Sequence, residues 1–72
     1  MNKNMKYVLA GNHMQFYNYL KETNQSLTSC RFISRREQIQ GLHNIKVIRY
    51  GTWWENPLNT DPLLKIVEEK HD

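Results

Sequence analysis

Cysteine is almost missing from this sequence: Cys30 stands alone among 72 residues. One thiol closes no internal disulfide, and cysteines supply no structural zinc site. That usage fits a reducing cytoplasm. Long apolar runs are also missing, and nothing approaches the roughly 18 residues of a membrane span. Met1 to Lys6 is polar and precedes only a short apolar run, which does not read as a secretory signal. Repeats and low-complexity stretches are absent. Charge of one sign does not dominate either. Ten Lys and Arg against seven Asp and Glu leave a formal net charge of +3 and a pI near 9.2. Such a mild excess permits nucleic acid as a partner without requiring it.

The catalytic and cofactor motifs are missing as well. Gly11-Asn12 follows the first apolar run, but neither G-x-G-x-x-G nor G-x-x-x-x-G-K-[ST] is present. Ser34 follows the second apolar run without G-x-S-x-G. His13, His43 and His71 have no metal-like spacing, and the adjacent carboxylates Glu68 and Glu69 are expected in solvent on a last helix. No catalytic constellation is legible. The chain therefore reads as a non-enzyme without cofactor or metal. An enzymatic role would need a partner chain to complete the site.

What is present is a foldable pattern: 39% hydrophobic residues, 24% charged, and eight aromatics. Lys6–Ala10 is continuously apolar from Tyr7 and stops at Gly11-Asn12, which suggests a strand covered on both faces. Asn12 then caps a helix over His13–Thr23. Phe16, Tyr19 and Leu20 form its apolar face and Asn24 ends it. A polar connection, Asn24–Ser29, leads to a second strand, Cys30–Ile33, with Cys30 expected buried as a small apolar residue. A short second helix should begin at Ser34. Ser34 and Glu37 have capping-box spacing, Ile39 and Leu42 are apolar, and Gly41 lies near its end.

The third strand is expected over Ile45–Tyr50, and a loop, Gly51–Asn59, carries Trp53, Trp54 and Pro57. Asp61 and Pro62 open a last helix with a Leu63, Ile66, Val67 stripe, and Lys70 and His71 suit its C-terminal end. Arg31, Lys46 and Arg49 decorate the two outer strands, where charge commonly blocks unwanted strand pairing.

The order β-α-β-α-β-α predicts an α/β fold with a parallel sheet and right-handed crossovers. With the most apolar strand central, the strand order is 2-1-3, a minimal three-stranded Rossmann-like or flavodoxin-like unit in a single domain spanning residues 1–72. A domain of this size buries only about 60% of its unfolded surface. Association into a homo-oligomer would add burial.

In such a sheet, ligands favour the carboxyl edge of the strands. Three loops should meet there, bringing Asn12 and His13, then Ser34, Arg35 and Arg36, then Thr52, Trp53 and Trp54. Arginines placed at a helix start oppose its dipole, so a role beyond folding is worth weighing against plain solvated surface. Their forked donors suit phosphate or carboxylate, and a tryptophan suits stacking on a base or filling a protein pocket.

The segments Lys6-Tyr7-Val8-Leu9-Ala10-Gly11-Asn12, Phe16 with Tyr19-Leu20, Arg31-Phe32-Ile33-Ser34 and Gly51-Thr52-Trp53-Trp54-Glu55-Asn56-Pro57 together resemble small Rossmann-like proteins of bacteriophages and prophages. The resemblance covers nearly the whole chain. It implies a protein of the bacterial host cytoplasm, in a class whose members often bind host proteins or sequester ligands. Two expectations follow. The first is a binding module for a nucleotide or nucleic-acid phosphate at the carboxyl edge. The alternative is a protein that binds and inhibits a host or defence protein through an exposed Trp and Arg surface.

Overall fold

In the computed structural model, which describes residues 5–69, the apolar run becomes strand β1 (Lys6–Ala10) at the centre of a three-stranded sheet. Strands β2 (Cys30–Phe32) and β3 (Lys46–Tyr50) flank it, both parallel, giving the order β2-β1-β3. Lys6 is in register with Cys30 on one side and Lys46 on the other, and Ala10 pairs with Tyr50. Side chains alternate between the faces of a strand. Val8 and Ala10 accordingly enter one core, and Leu9 with Tyr7 the other. Both faces are covered, which is why Val8, Leu9 and Ala10 are all fully buried without polar alternation.

The first core lies under α1 (His13–Thr23), whose Phe16, Tyr19 and Leu20 meet Val8, Ala10 and Cys30. Cys30 is thus a buried packing residue. The helix ends follow local chemistry. Asn12 Oδ1 accepts from Gln15 N at 2.9 Å, and Asn24 takes the left-handed conformation at φ 55° that asparagine tolerates. The second core joins Leu9, Ile33, Ile39, Ile45, Leu58, Leu64 and Val67, with Trp53 and Leu63 half-buried against it. Each fully buried Leu or Ile contributes about 2 kcal/mol.

The expected second helix is not there. Between β2 and β3 the chain crosses β1 on the second face and returns along the full strand length. That journey is about 13 Å lengthwise and about 10 Å sideways. The residues between Ile33 and Ile45 cover it without a regular helix. One 3₁₀ turn forms, Arg36–Gln38, and the chain continues through Gly41 (φ 81°) and Asn44 (φ 52°). The Ser34–Glu37 capping box does not form. Gln38 Oε1 instead accepts from Ser34 N at 2.7 Å and Arg35 N at 3.0 Å, while its Nε2 donates to Phe32 O at 3.3 Å. The described residues therefore hold two α-helices around a parallel sheet, without the full β-α-β-α-β-α alternation.

The C-terminal part also departs from expectation. The stretch Gly51–Asn59 is not plain loop, since 3₁₀ turns form at Trp53–Glu55 and Pro57–Thr60. Helix α2 (Pro62–Val67) is capped by Asp61, whose Oδ1 accepts from Leu63 N at 2.9 Å. It buries Leu64 and Val67, whereas Ile66 is 72% exposed and does not belong to the stripe. Glu68 lies beyond the helix in a parallel bridge to Ile45. Ile45 itself precedes β3: its N–H donates to Val67 O, and its carbonyl accepts from Glu69 N at 2.8 Å. The Glu68 carboxylate is not simply solvated. It grips Arg49 through two bonds of 2.7 and 2.8 Å, so Arg49 is held in an ion pair rather than standing as a bare edge charge. Lys70 and His71 lie outside the described residues. Among the described residues no helix is long and apolar enough to cross a membrane.

Candidate functional site

All three strands end on one edge, and three carboxamides tie that edge together. Asn56, 2% exposed, is the deepest. Its Nδ2 donates to Ala10 O at 2.7 Å and Ile33 O at 2.9 Å, spanning the ends of β1 and β2 from the loop after β3. Its Oδ1 accepts from Leu58 N at 2.9 Å. Pro57 favours the extended backbone observed at Asn56, which aims the side chain inward. The pattern Asn-Pro-Leu at Asn56 and Asp-Pro-Leu at Asp61 makes the same local bond twice. Asn56 was not among the expected site residues. The Asn-Pro dipeptide marks a turn, but only its burial assigns the other two bonds.

Gln15 closes the gap between β1 and β3. Its Oε1 accepts from Gly11 N at 2.8 Å and Thr52 N at 3.0 Å, and its Nε2 donates to Thr52 Oγ1 at 2.8 Å. Gln38 does the corresponding work after β2. Neither glutamine was anticipated, because a polar helical residue reads as solvent-facing.

The expected site residues separate into three groups. His13, Ser34 and Arg35 come together: with Phe32, Glu37 and Gln38 they line an open groove of about 390 Å³ between α1 and the loop after β2. The His13 and Phe32 rings lie 4.5 Å apart; the buried Phe16 packs behind Phe32, and Tyr17 contacts His13 outside the groove lining. Among the described residues the Arg35 guanidinium has no carboxylate partner. Asn12 and Thr52 form a second group. They are occupied in holding α1 and the Gln15 clasp, respectively.

Arg36, Trp53 and Trp54 do not join the groove. Arg36 turns to Asp61 and binds it through Nε at 3.1 Å and Nη2 at 2.9 Å. With no helix beginning here, its charge opposes no dipole. Hydrogen bonding to Asp61 holds Arg36 above its ordinary pKa, and the same bond, with Leu63 N, holds the Asp61 carboxyl below the usual range. Trp53 packs on the second core with the Arg49 guanidinium carbon 5.8 Å from its ring centroid, and hydrogen bonding to Glu68 raises the Arg49 pKa. Trp54 stands edge-on to Trp53 and is 58% exposed.

Chemically, the edge offers one unengaged guanidinium, a hydroxyl, an imidazole and an aromatic wall. Among the described residues no three His, Cys, Asp or Glu side chains gather to hold a metal ion. Compared with known proteins, the chain matches no family model, no curated protein and no solved structure. The functional reading therefore rests on the geometry of the groove.

Proposed function

We propose that this chain is a non-enzymatic binding module, a reduced Rossmann-like unit, that takes the phosphate of a nucleotide or nucleic-acid strand in the groove between His13 and Arg35. The observation that carries the reading is the unengaged Arg35 guanidinium set beside the His13–Phe32 aromatic wall. A guanidinium presents forked donors to a phosphate, and an aromatic face receives a base. Ser34 adds a hydroxyl donor. Glu37 lines the same groove and offsets part of its positive charge. The ligand is therefore one that uses the aromatic wall as well as charge, and its affinity is modest. Arg36, Trp53 and Trp54 drop out of this contact surface.

Fluorescence anisotropy with labelled single-stranded oligonucleotides, and nucleotide titrations followed by NMR, test the reading. Binding should weaken as salt rises with the shallow slope of a single cationic contact, about one decade of affinity per decade of salt. The amide signals of His13, Ser34 and Arg35 should move. Arg35→Ala should reduce affinity at least tenfold while the circular dichroism stays unchanged. Absence of binding to every nucleotide and oligonucleotide tested would end it.

The second reading, attachment to a host or defence protein, draws on Trp54. Its ring is exposed and braced edge-on by Trp53, an arrangement suited to an interface anchor. A pull-down from bacterial extract that Trp54→Ala abolishes and Arg35→Ala preserves would favour it. Residence in a bacterial cytoplasm and a phage origin remain part of this proposal.

A further inference from the structure

The crevice between β1 and β3 is the switch point of a 2-1-3 sheet, the place where parallel α/β sheets take ligands. Here it is filled by the chain's own carboxamide. Two backbone N–H groups, Gly11 N at the end of β1 and Thr52 N after β3, converge on a single oxygen, Gln15 Oε1. Neither donor belongs to a helix: Gly11 precedes the cap of α1, and Thr52 precedes the 3₁₀ turn. The Thr52 hydroxyl is a third polar group at the same place.

The two glycines let the Gln15 carboxamide come this close to the backbone. A Cβ on Gly51 would meet Gln15 Oε1, and Gly51 adopts φ +61°, which a side chain strains. A Cβ on Gly11 would meet Thr52 Oγ1 and lie 2.9 Å from the Thr52 carbonyl oxygen. Gln15 is only half-buried and reaches the seat by a flexible side chain. Gln15 belongs to neither core cluster, so the clasp is not itself part of the apolar packing.

We infer that the Gly11–Thr52 amide pair is an anion seat, for a carboxylate or phosphate oxygen, held shut by Gln15. Both ligands share the chemistry required: a charged oxygen accepting two N–H bonds and the Thr52 hydroxyl. The seat is separate from the Arg35 groove, since it lies between β1 and β3 rather than beyond β2. Self-occupancy lowers the apparent affinity by the fraction of time the seat is open. Removing the clasp should therefore reveal the site.

The test titrates the wild-type chain and Gln15→Ala with inorganic phosphate and, separately, with acetate, following the ¹H–¹⁵N signals of Gly11 and Thr52. Both signals should move saturably in the variant, with an apparent affinity at least tenfold tighter than in the wild type. The better of the two probes identifies the oxygen source. A folded variant whose Gly11 and Thr52 signals do not saturate with either ion overturns the inference. Shifts confined to Ser34 and Arg35 would speak for the groove and against the seat.

If Gln15→Ala does not fold, Gln15→Glu decides. Its carboxylate should occupy the seat, shift both amides downfield and titrate below the ordinary glutamate value of about 4.3. An introduced carboxyl that titrates at or above that value overturns the inference.

Discussion

Replacing Asn56 with alanine would remove the bonds to Ala10 O, Ile33 O and Leu58 N in one step. All three groups sit where the side chain is 2% exposed, so water does not readily replace it. A buried polar group left unpaired costs about 1–3 kcal/mol, and partial water entry reduces the sum. The expected loss is about 3 kcal/mol. A chain of this length has a total stability of about 4–10 kcal/mol. The variant should therefore unfold at a much lower urea concentration, with an unchanged slope. Urea titration followed by circular dichroism and tryptophan fluorescence measures this.

Asn56→Asp is the sharper probe. It preserves shape and replaces the Nδ2 donor with an oxygen facing two carbonyls. Ionised, that oxygen is repelled; protonated, it donates once. Its folded pKa must then lie above the unfolded value of about 3.9. The deficit relative to wild type should be smallest below about pH 4 and grow as pH rises through the folded pKa. A loss under about 1 kcal/mol for the alanine variant, or a deficit of the aspartate variant that does not depend on pH, would refute the account of Asn56 as the strand-end tie.

Three other outcomes are expected. Asp61 responds to pH in the opposite sense: its folded pKa is depressed by Arg36, so its contribution is present above the unfolded pKa and is lost as pH falls through the folded one. Asp61→Asn keeps the α2 cap and should flatten that acid limb in urea titrations below about pH 4. Gly51→Ala should destabilise by about 1–2 kcal/mol through its left-handed backbone, and more than Gly41→Ala, because Gly41 has open space around it while Gly51 faces Gln15. Paired thermal melts check that ranking. The Glu22 carboxylate holds the Tyr50 hydroxyl above the ordinary tyrosine pKa, so Glu22→Gln should let it ionise at lower pH in an ultraviolet absorbance titration.

Preferences between neighbours along the chain were enough to place several elements. The Tyr7–Ala10 run set the buried central strand, Asn12 and Asn24 set both ends of α1, and Asp61-Pro62 set the start of α2. Each of these is a local preference reinforced by burial. The sheet order followed because an unalternating apolar strand needs neighbours on both sides. Contacts between residues distant in the chain settled the rest. After β2 the Gln38 side chain took the N–H groups of Ser34 and Arg35, and the capping-box spacing at Ser34 gave one 3₁₀ turn instead of a helix. Ile66 was lost from the apolar stripe because α2 is a short helix placed by Leu64 and Val67.

The same division holds for the candidate site. Sequence placed His13, Ser34 and Arg35 near one edge, because strand ends in a parallel sheet share a side. It could not separate Arg35 from Arg36, since only the fold brings Asp61 to Arg36 across 25 positions. Nor could it find Gln15, Gln38 and Asn56. Their role is to complete hydrogen bonds for backbone groups that the folded chain brings together, and the longest of those links spans 46 positions. A side chain's local preferences carry no record of partners that distant.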